Sequence, residues 1–527
     1  MNAAPQGAVP PTGRDPKEFD KSFVRSVFWT GVAKAGAQLL GWISTFIVAR
    51  LLTPEDYGLL GMATVFLGIV TLVSESGIGI TILTLRDLDR EQVAQFNTVA
   101  VFLGVAGFLV CAAAAIPLGW FFDSHALPVI VLVLGTTFPI SGFRVVPNAL
   151  LQRDLRFKLV AALEAMNVVV LSVSMVVLAL AGFQYWTLVL GAVLSAVVTT
   201  TLTVAYRSQP FRWPRWRSLR NALTFTKYQL GGNLLWYGYS SADLVIAGRL
   251  LGPADLGVYS LALSTASSIP EKITTLVTRV TPAYFAALQD EPAALKRYLL
   301  RLTEILSVIT FPALFGLAVV ADDFVRLALG TKWLEAIDPL RLLAIYAAIS
   351  ATNPLLSRVL TVRGQTRYLM WFGVWQLILL PVCLAIGSLW GPTGIAAAWV
   401  IVFPLTQVSI VRRVSASIGV SAREYLRAFW PATSSSIVMA LAVVALRQAL
   451  PDGIPLYVRL LLEILFGAGV YVAVFAATHP DRMRALLQLR SAWRERDRPS
   501  AAPADALAAE RAKASAAPAG REASGDS

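Results

Sequence analysis

The sequence predicts an all-α integral membrane protein of about fourteen transmembrane helices. Three observations carry this. Apolar runs of about 20 residues, the length that crosses a bilayer core, recur along the chain. Only 15% of the residues are charged, against about 25% in soluble proteins. Lys and Arg concentrate in alternate loops, as they do in chains threaded repeatedly through a membrane.

The apolar runs place helices near 24–49, 58–84, 94–119, 126–150, 158–181, 184–206, 222–249, 255–281, 298–320, 337–361, 367–389, 393–411, 427–448 and 456–478. Two of them are irregular: Glu75-Ser76-Gly77 interrupts the second, and Pro139 and Arg144 interrupt the fourth. The chain divides into a polar segment, 1–22; a first six-helix lobe, 23–206; a basic linker, 207–221; a second lobe, 222–411; two further helices within 427–478; and a tail, 479–527. Residues 1–22 lack the apolar core of a signal peptide, so the first run is expected to remain as a span. In the tail, Met483 to Arg494 reads as a short basic interfacial helix and the rest as disordered.

With the N-terminus in the cytoplasm, the cytoplasmic segments hold Lys17, Lys21 and Arg25; Arg86 and Arg90; Arg153, Arg156 and Lys158; the five arginines from Arg207 to Arg220; Lys296 and Arg297; Arg363 and Arg367; and Arg412, Arg413, Arg423 and Arg427. The opposite side has Arg50, Arg249, Arg326, Lys332, Arg341, Arg447 and Arg459. A miscounted helix would invert the bias beyond it, so the pattern supports fourteen spans with both termini inside. The net charge of +13 therefore belongs to membrane topology, and nucleic acid is not an expected partner. All external loops are short, the longest near 321–336, which argues against an external catalytic platform. Cys111 and Cys383 lie within apolar runs and read as small buried hydrophobes.

The most specific signal is an internal repeat. Residues 47–58 read IVARLLTPEDYG and residues 246–257 read IAGRLLGPADLG, identical at seven of twelve positions. Each copy lies at the external turn between the first two helices of a six-helix block. An even number of helices gives the blocks the same orientation, which makes a parallel repeat about an axis along the membrane normal, a transporter plan. Two readings of the turn stand. In one it is a well-built turn, with Thr53 capping, Pro54 at the first helical position, Asp56 facing the helix dipole, and Arg50 and Arg249 closing the preceding helices. In the other, the two arginines flank a cavity mouth and meet an anionic substrate.

Ionisable groups within spans cost about 2.5–3.5 kcal/mol each, so they need a reason. Lys34, Glu75, Arg144 and Asp243 stand out, and Gln38 shares a helical face with Lys34. One reading is substrate contact: Lys34, Gln38, Arg50, Arg144 and Arg249 holding phosphate and sugar, and Glu75 or Asp243 taking a proton or sodium ion. The other is salt bridging among these residues. No P-loop, metal-binding Cys/His spacing or nucleophile elbow occurs.

The opening KSFVRSVFWTGVAKAGAQLLGWISTFIVARLLTPEDYGLLGMATVF, then ESGIGITIL, and the second copy GRLLGPADLGVYSLA resemble the Wzx-type polysaccharide-transporter flippases of the MOP superfamily. That superfamily also holds MATE exporters and lipid II flippases. The likeness spans about 20–480 and is greatest to colanic-acid-type exporters. It implies MATE-like lobes that rock between inward- and outward-open states. It also implies a polyprenyl-diphosphate-linked oligosaccharide as substrate, basic cavity residues to hold it (here Lys34, Arg50, Arg144 and Arg249), an inner-membrane location, and a role in exopolysaccharide or O-antigen assembly. The expected protein is a monomer, without cofactor and not an enzyme. Its expected partners are membrane lipids and other polysaccharide-assembly proteins. The competing functions are a cation-coupled small-molecule exporter and a membrane polysaccharide polymerase or ligase.

Overall fold

The computed structural model describes residues 36–84, 88–215, 231–278, 281–451 and 453–484. Among these residues the secondary structure is helical, with no strand. Helices follow in order: α1, Gly36–Leu51; α2, Pro54–Thr71, continued by a π-turn, Leu72–Ser76, into α3, Gly77–Thr84; α4, Arg90–Phe121; α5, Leu127–Gly135; α6, Thr137–Arg153; α7, Phe157–Leu180; and α8, Trp186–Tyr206. After the linker come α9, 231–240; α10, Ala242–Leu250; α11, Pro253–Thr278; α12, Thr281–Ala287; and α13, Pro292–Phe324, which runs into a π-turn, Val325–Leu329, and a 3-10 turn, Thr331–Ala336. The chain ends with α14, Ile337–Ser350; α15, Asn353–Val362; α16, Thr366–Gly387; α17, Gly391–Ile418; α18, Ala422–Ala449; and α19, Leu456–Thr478.

Nine helical stretches among the described residues are long and apolar enough to cross a membrane; Thr366–Ile418 holds α16 and α17, and Leu127–Arg153 holds α5 and α6. Helix is found in every one of the fourteen expected stretches. Two stretches differ in detail. The break in 126–150 falls at Thr136, and Pro139 then sits in the first turn of α6, where its missing N–H costs nothing; Arg144 lies in unbroken helix. The Glu75-Ser76-Gly77 irregularity is the π-turn after α2. The expected interfacial helix from Met483 lies almost wholly outside the described residues.

The most apolar of the long helices, such as α4, α7 and α8, present no amphipathic stripe, so small residues matter to their packing. α2 and α11, the second helices of the two repeat copies, share the most extensive contact between any two described helices. They form the centre of a core that also takes residues from α5, α13, α14 and α17. α18 and α19 pack together and against α13.

That last contact is fixed by charge. Asp323, fully buried, accepts from Arg447 of α18 at 2.8 Å and from Nε of Arg459 of α19 at 2.7 Å. Asp322 accepts from Arg447 at 2.8 Å and from Arg326 at 2.9 Å. Helices whose apolar faces match lipid as well as they match each other gain specific registry from such a network. Removing one partner of a buried ion pair leaves an uncompensated charge. Asp323→Ala is therefore expected to destabilise the protein by about 3–5 kcal/mol, read as a lowered unfolding temperature in detergent, while the exposed Asp338→Ala leaves it unchanged.

Candidate functional site

The first and second halves meet where the duplicated turns lie. Thr53 caps α2 as its sequence predicts: its hydroxyl accepts from the Asp56 N–H, and the Asp56 carboxylate accepts from the Thr53 N–H at 2.8 Å. Pro54 and Pro253 occupy the first positions of α2 and α11. With both starts fixed this way, the two helices cross with a reciprocal close approach. A Cβ placed on Gly58 would lie 1.7 Å from the Pro253 carbonyl oxygen, and a Cβ on Gly257 would lie 1.7 Å from the Pro54 carbonyl oxygen. The final glycine of each repeat copy thus seats the proline of the other copy, and no larger side chain fits either place. The interlock continues along α2. Gly61 faces Leu256, and Gly68 faces the Tyr237 hydroxyl, which donates to the Val65 carbonyl at 3.1 Å.

A second layer covers this contact. Trp333, fully buried, donates its indole N–H to the Ala49 carbonyl at 2.7 Å and meets the Tyr57 ring edge-on at 5.3 Å. Lys332 donates to the Leu51 carbonyl at 3.3 Å. In return Arg50 donates to the Ala328 carbonyl at 3.1 Å and to that of Leu327. Each half therefore supplies donors to the free carbonyls at a helix end of the other, where a cation is also favoured by the dipole. The duplicated copy lacks this cover. Its arginine, Arg249, is exposed and stands 5.9 Å over the Phe121 ring at the end of α4.

The residues singled out from the sequence are distributed unevenly around this joint. Arg50 and Arg249 lie at it, as their motifs require. Gln38 is half-buried near the start of the described part of α1, and Arg144 is half-buried in α6. Lys34 lies outside the described residues, as does the side chain of Glu75, whose backbone is in the π-turn.

Asp243 is buried at the start of α10. Its Oδ2 accepts from the Tyr259 hydroxyl at 2.6 Å and the Trp399 indole at 3.0 Å, and its Oδ1 from the Leu244 N–H at 2.8 Å. The Tyr346 ring stands 4.9 Å from Trp399. Three donors thus satisfy the oxygens of this side chain, which is buried and has no cation against it among the described residues. Their sequence separations, 16 and 156 residues for Tyr259 and Trp399, left no local signal to find them.

A family model described as a polysaccharide biosynthesis protein matches residues 47–338, a span that contains both copies of the turn. The chain is 25% identical over 418 residues to the lipopolysaccharide biosynthesis protein WzxC of Escherichia coli (strain K12), covering 76% of this chain and 83% of that protein. It is 23% identical over 492 residues to the succinoglycan biosynthesis transport protein ExoT of Rhizobium meliloti, covering 92% and 98%. Among solved structures, the lipid II flippase MurJ in an inward closed conformation has the same fold, with a TM-score of 0.69 at 11% identity over 86% of this chain and 100% of that one.

The interlock predicts the effect of adding bulk to it. Gly257→Val forces the N-termini of α2 and α11 apart. Overpacking of this kind costs about 1–3 kcal/mol, so opening at this end should become about 5- to 150-fold more frequent. The readout is maleimide labelling of Ala49→Cys, fully buried in the closed joint. Labelling should accelerate in the Gly257→Val background and stay slow when Gly252, whose surroundings are open, is replaced by Asn.

Proposed function

The chain belongs to the polysaccharide biosynthesis protein family whose model covers 47–338, and from this we propose that it is a flippase that carries polyprenyl-diphosphate-linked oligosaccharide units across the cytoplasmic membrane for exopolysaccharide or O-antigen assembly. No covalent bond is made or broken. The polar head passes between two lobes, 23–206 and 222–411, while the lipid tail stays in the bilayer. Fourteen spans with both termini cytoplasmic put the duplicated turns on the outer side, in keeping with the position of the Arg-rich loops.

The observation that carries the reading is the reciprocal seating of Pro54, Gly58, Pro253 and Gly257. Extensive contact between the halves, among the described helices, runs through α2 against α10 and α11. A path closed by this joint and by the layer of Arg50, Lys332 and Trp333 over it opens by separating both together, which is a discrete two-state step of the kind alternating access needs. The named relatives support the substrate class. One is a lipopolysaccharide biosynthesis protein, one a succinoglycan transport protein and one, by fold, a lipid II flippase.

In this proposal Arg249, with Lys34, Gln38 and Arg144, meets the diphosphate and sugars. Arg50 has a further task, since it holds the 325–329 turn. Asp243 is the ion-coupling group, and cation entry there displaces the Tyr259 or Trp399 donor. Glu75 is the second candidate for that role.

Two outcomes test the proposal. In cells whose own copy is deleted, a variant lacking Cys111 and Cys383 and carrying Leu51→Cys with Lys332→Cys restores surface polysaccharide. A short bis-maleimide that joins the two cysteines should then stop export while either single cysteine is unaffected. Arg249→Glu should lower surface polysaccharide at unchanged protein level. Continued export by the cross-linked protein would contradict opening at this joint, and normal polymer from Arg249→Glu would remove this arginine from substrate contact.

A further inference from the structure

A cavity of ≈ 390 Å³ lies among α14, α15, α17 and α18, away from the α2–α11 joint. Its walls are mostly apolar, with Phe403, Leu426 and Phe429 among them. Three polar groups break that pattern. Both amide atoms of Gln407 and the Oδ1 atom of Asn353 are buried and have no hydrogen-bond partner among the described residues. Arg412, exposed on the same lining, has no ion-pair partner among the described residues.

Neighbouring residues of the same types are engaged. Gln376 donates to Thr406, next to Gln407 in the chain, at 3.1 Å. Arg413, next to Arg412, donates to Gln365 at 2.7 Å and lies 5.2 Å over the Tyr368 ring. Partners are therefore available to amides and cations on these helices, and Gln407, Asn353 and Arg412, which line the cavity, do not take them. An orphaned amide at membrane depth is costly unless something external satisfies it.

We propose that this cavity binds an anionic glycerophospholipid of the surrounding bilayer, with its phosphate at Arg412, its ester and glycerol oxygens at Gln407 and Asn353, and an acyl chain along the apolar wall. Gln407 lies five residues from Arg412 on α17, about 7.5 Å along the helix axis at 1.5 Å per residue. That step separates a charged contact at the headgroup from an amide contact at the level of the glycerol esters. Basic pockets between membrane helices recognise anionic headgroups by this combination.

Other occupants fit less of the site. A free phosphate leaves the apolar wall empty. A polyprenyl chain carries no oxygen at the depth of Gln407. A zwitterionic headgroup brings its ammonium toward Arg412. Gln407, Asn353 and Arg412 are not among the residues assigned to transport, and lipid retention is read without transport, so the test does not depend on the transport reading.

The test is native mass spectrometry of the full-length protein in detergent with phosphatidylglycerol, phosphatidylethanolamine or undecaprenyl phosphate added in turn. Wild type should retain phosphatidylglycerol in preference to the other two. Gln407→Leu and Arg412→Gln should each lower that retention by about tenfold or more, the loss expected for a hydrogen bond to a charged or buried polar group. Arg413→Gln, whose partner is Gln365, should not. The unfolding temperature without added lipid separates lost binding from misfolding, and Gln407→Leu should match or exceed wild type because it removes an orphaned amide. Equal phosphatidylglycerol retention by wild type and both variants overturns the proposal. Preferential retention of undecaprenyl phosphate, lost in the same variants, also overturns it and assigns the cavity to a prenyl lipid.

Discussion

The fold depends on one reciprocal contact, the seating of each repeat's proline against the other repeat's glycine. A sequence that packs against a copy of itself obeys the logic of an isologous interface, in which one patch serves both sides. Here the two copies lie on one chain. Pro54 and Pro253 start their helices at positions where no N–H is needed, so their carbonyls sit at the outer edge of the crossing. Gly58 and Gly257, one helical turn further on, give those carbonyls room. Between membrane helices there is little hydrophobic driving force, and close backbone approach through small residues supplies the association energy. The same contact explains why the joint can be two-state. It depends on fit, and a separation of about 0.5–1 Å already forfeits roughly a quarter to a half of its dispersion energy.

The copies have diverged around the conserved contact, and the divergence gives the joint a direction. In the first, Thr53 caps α2, and the end of α1 is covered by Trp333, Lys332 and the carbonyls held by Arg50. In the second, Gly252 with φ of 88° takes the place of the capping threonine, and the end of α10 meets Phe121 and Phe122 instead. A left-handed conformation at Gly252 turns the chain without a side-chain cap. Equivalent arginines consequently do different things. Arg50 is tied to backbone across the joint, whereas Arg249 keeps its charge exposed above an aromatic ring. The structural task of the duplicated arginine is thus met by Arg50, which donates across the joint, and not by Arg249.

The helices were legible because the bilayer leaves few alternatives to them, and each apolar run marks one. Their interruptions were less so. Pro139 pointed near the break at Thr136, and Pro354, in the first turn of α15, stands in the same relation to the break at Ala351-Thr352, whereas the break at Ser241 has no proline beside it. The repeat was visible, and capping theory accounted for its Pro, Asp and Arg. It gave no reason for its final glycine, which is needed only once the other copy is in place. Asp323 was missed for a simpler reason. α13 extends to Phe324, beyond the expected end at 320, so a residue counted in a loop is fully buried in the bundle. The partners of Asp243 come from α11 and α17, and no spacing rule links them to it.

Polar groups within the bundle sort the helices by what holds them. Where a buried group is fully met by its own protein, as at Asp323 and Asp243, the helices that meet it are bound into one unit, because separating them would strand a charge. By that criterion α13, α18 and α19 form one unit, and α10, α11 and α17 another. The two sets are joined by the contacts of α13 with α11 and with α17. No comparable buried charge pair, among the described residues, bridges α2 to α11. That joint is made of glycine, backbone and a tyrosine hydroxyl, groups that can part without leaving a charge behind. The ion pairs around Asp323 thus hold α13, α18 and α19 to one another, while the two halves meet along α2 and α11 through uncharged close packing.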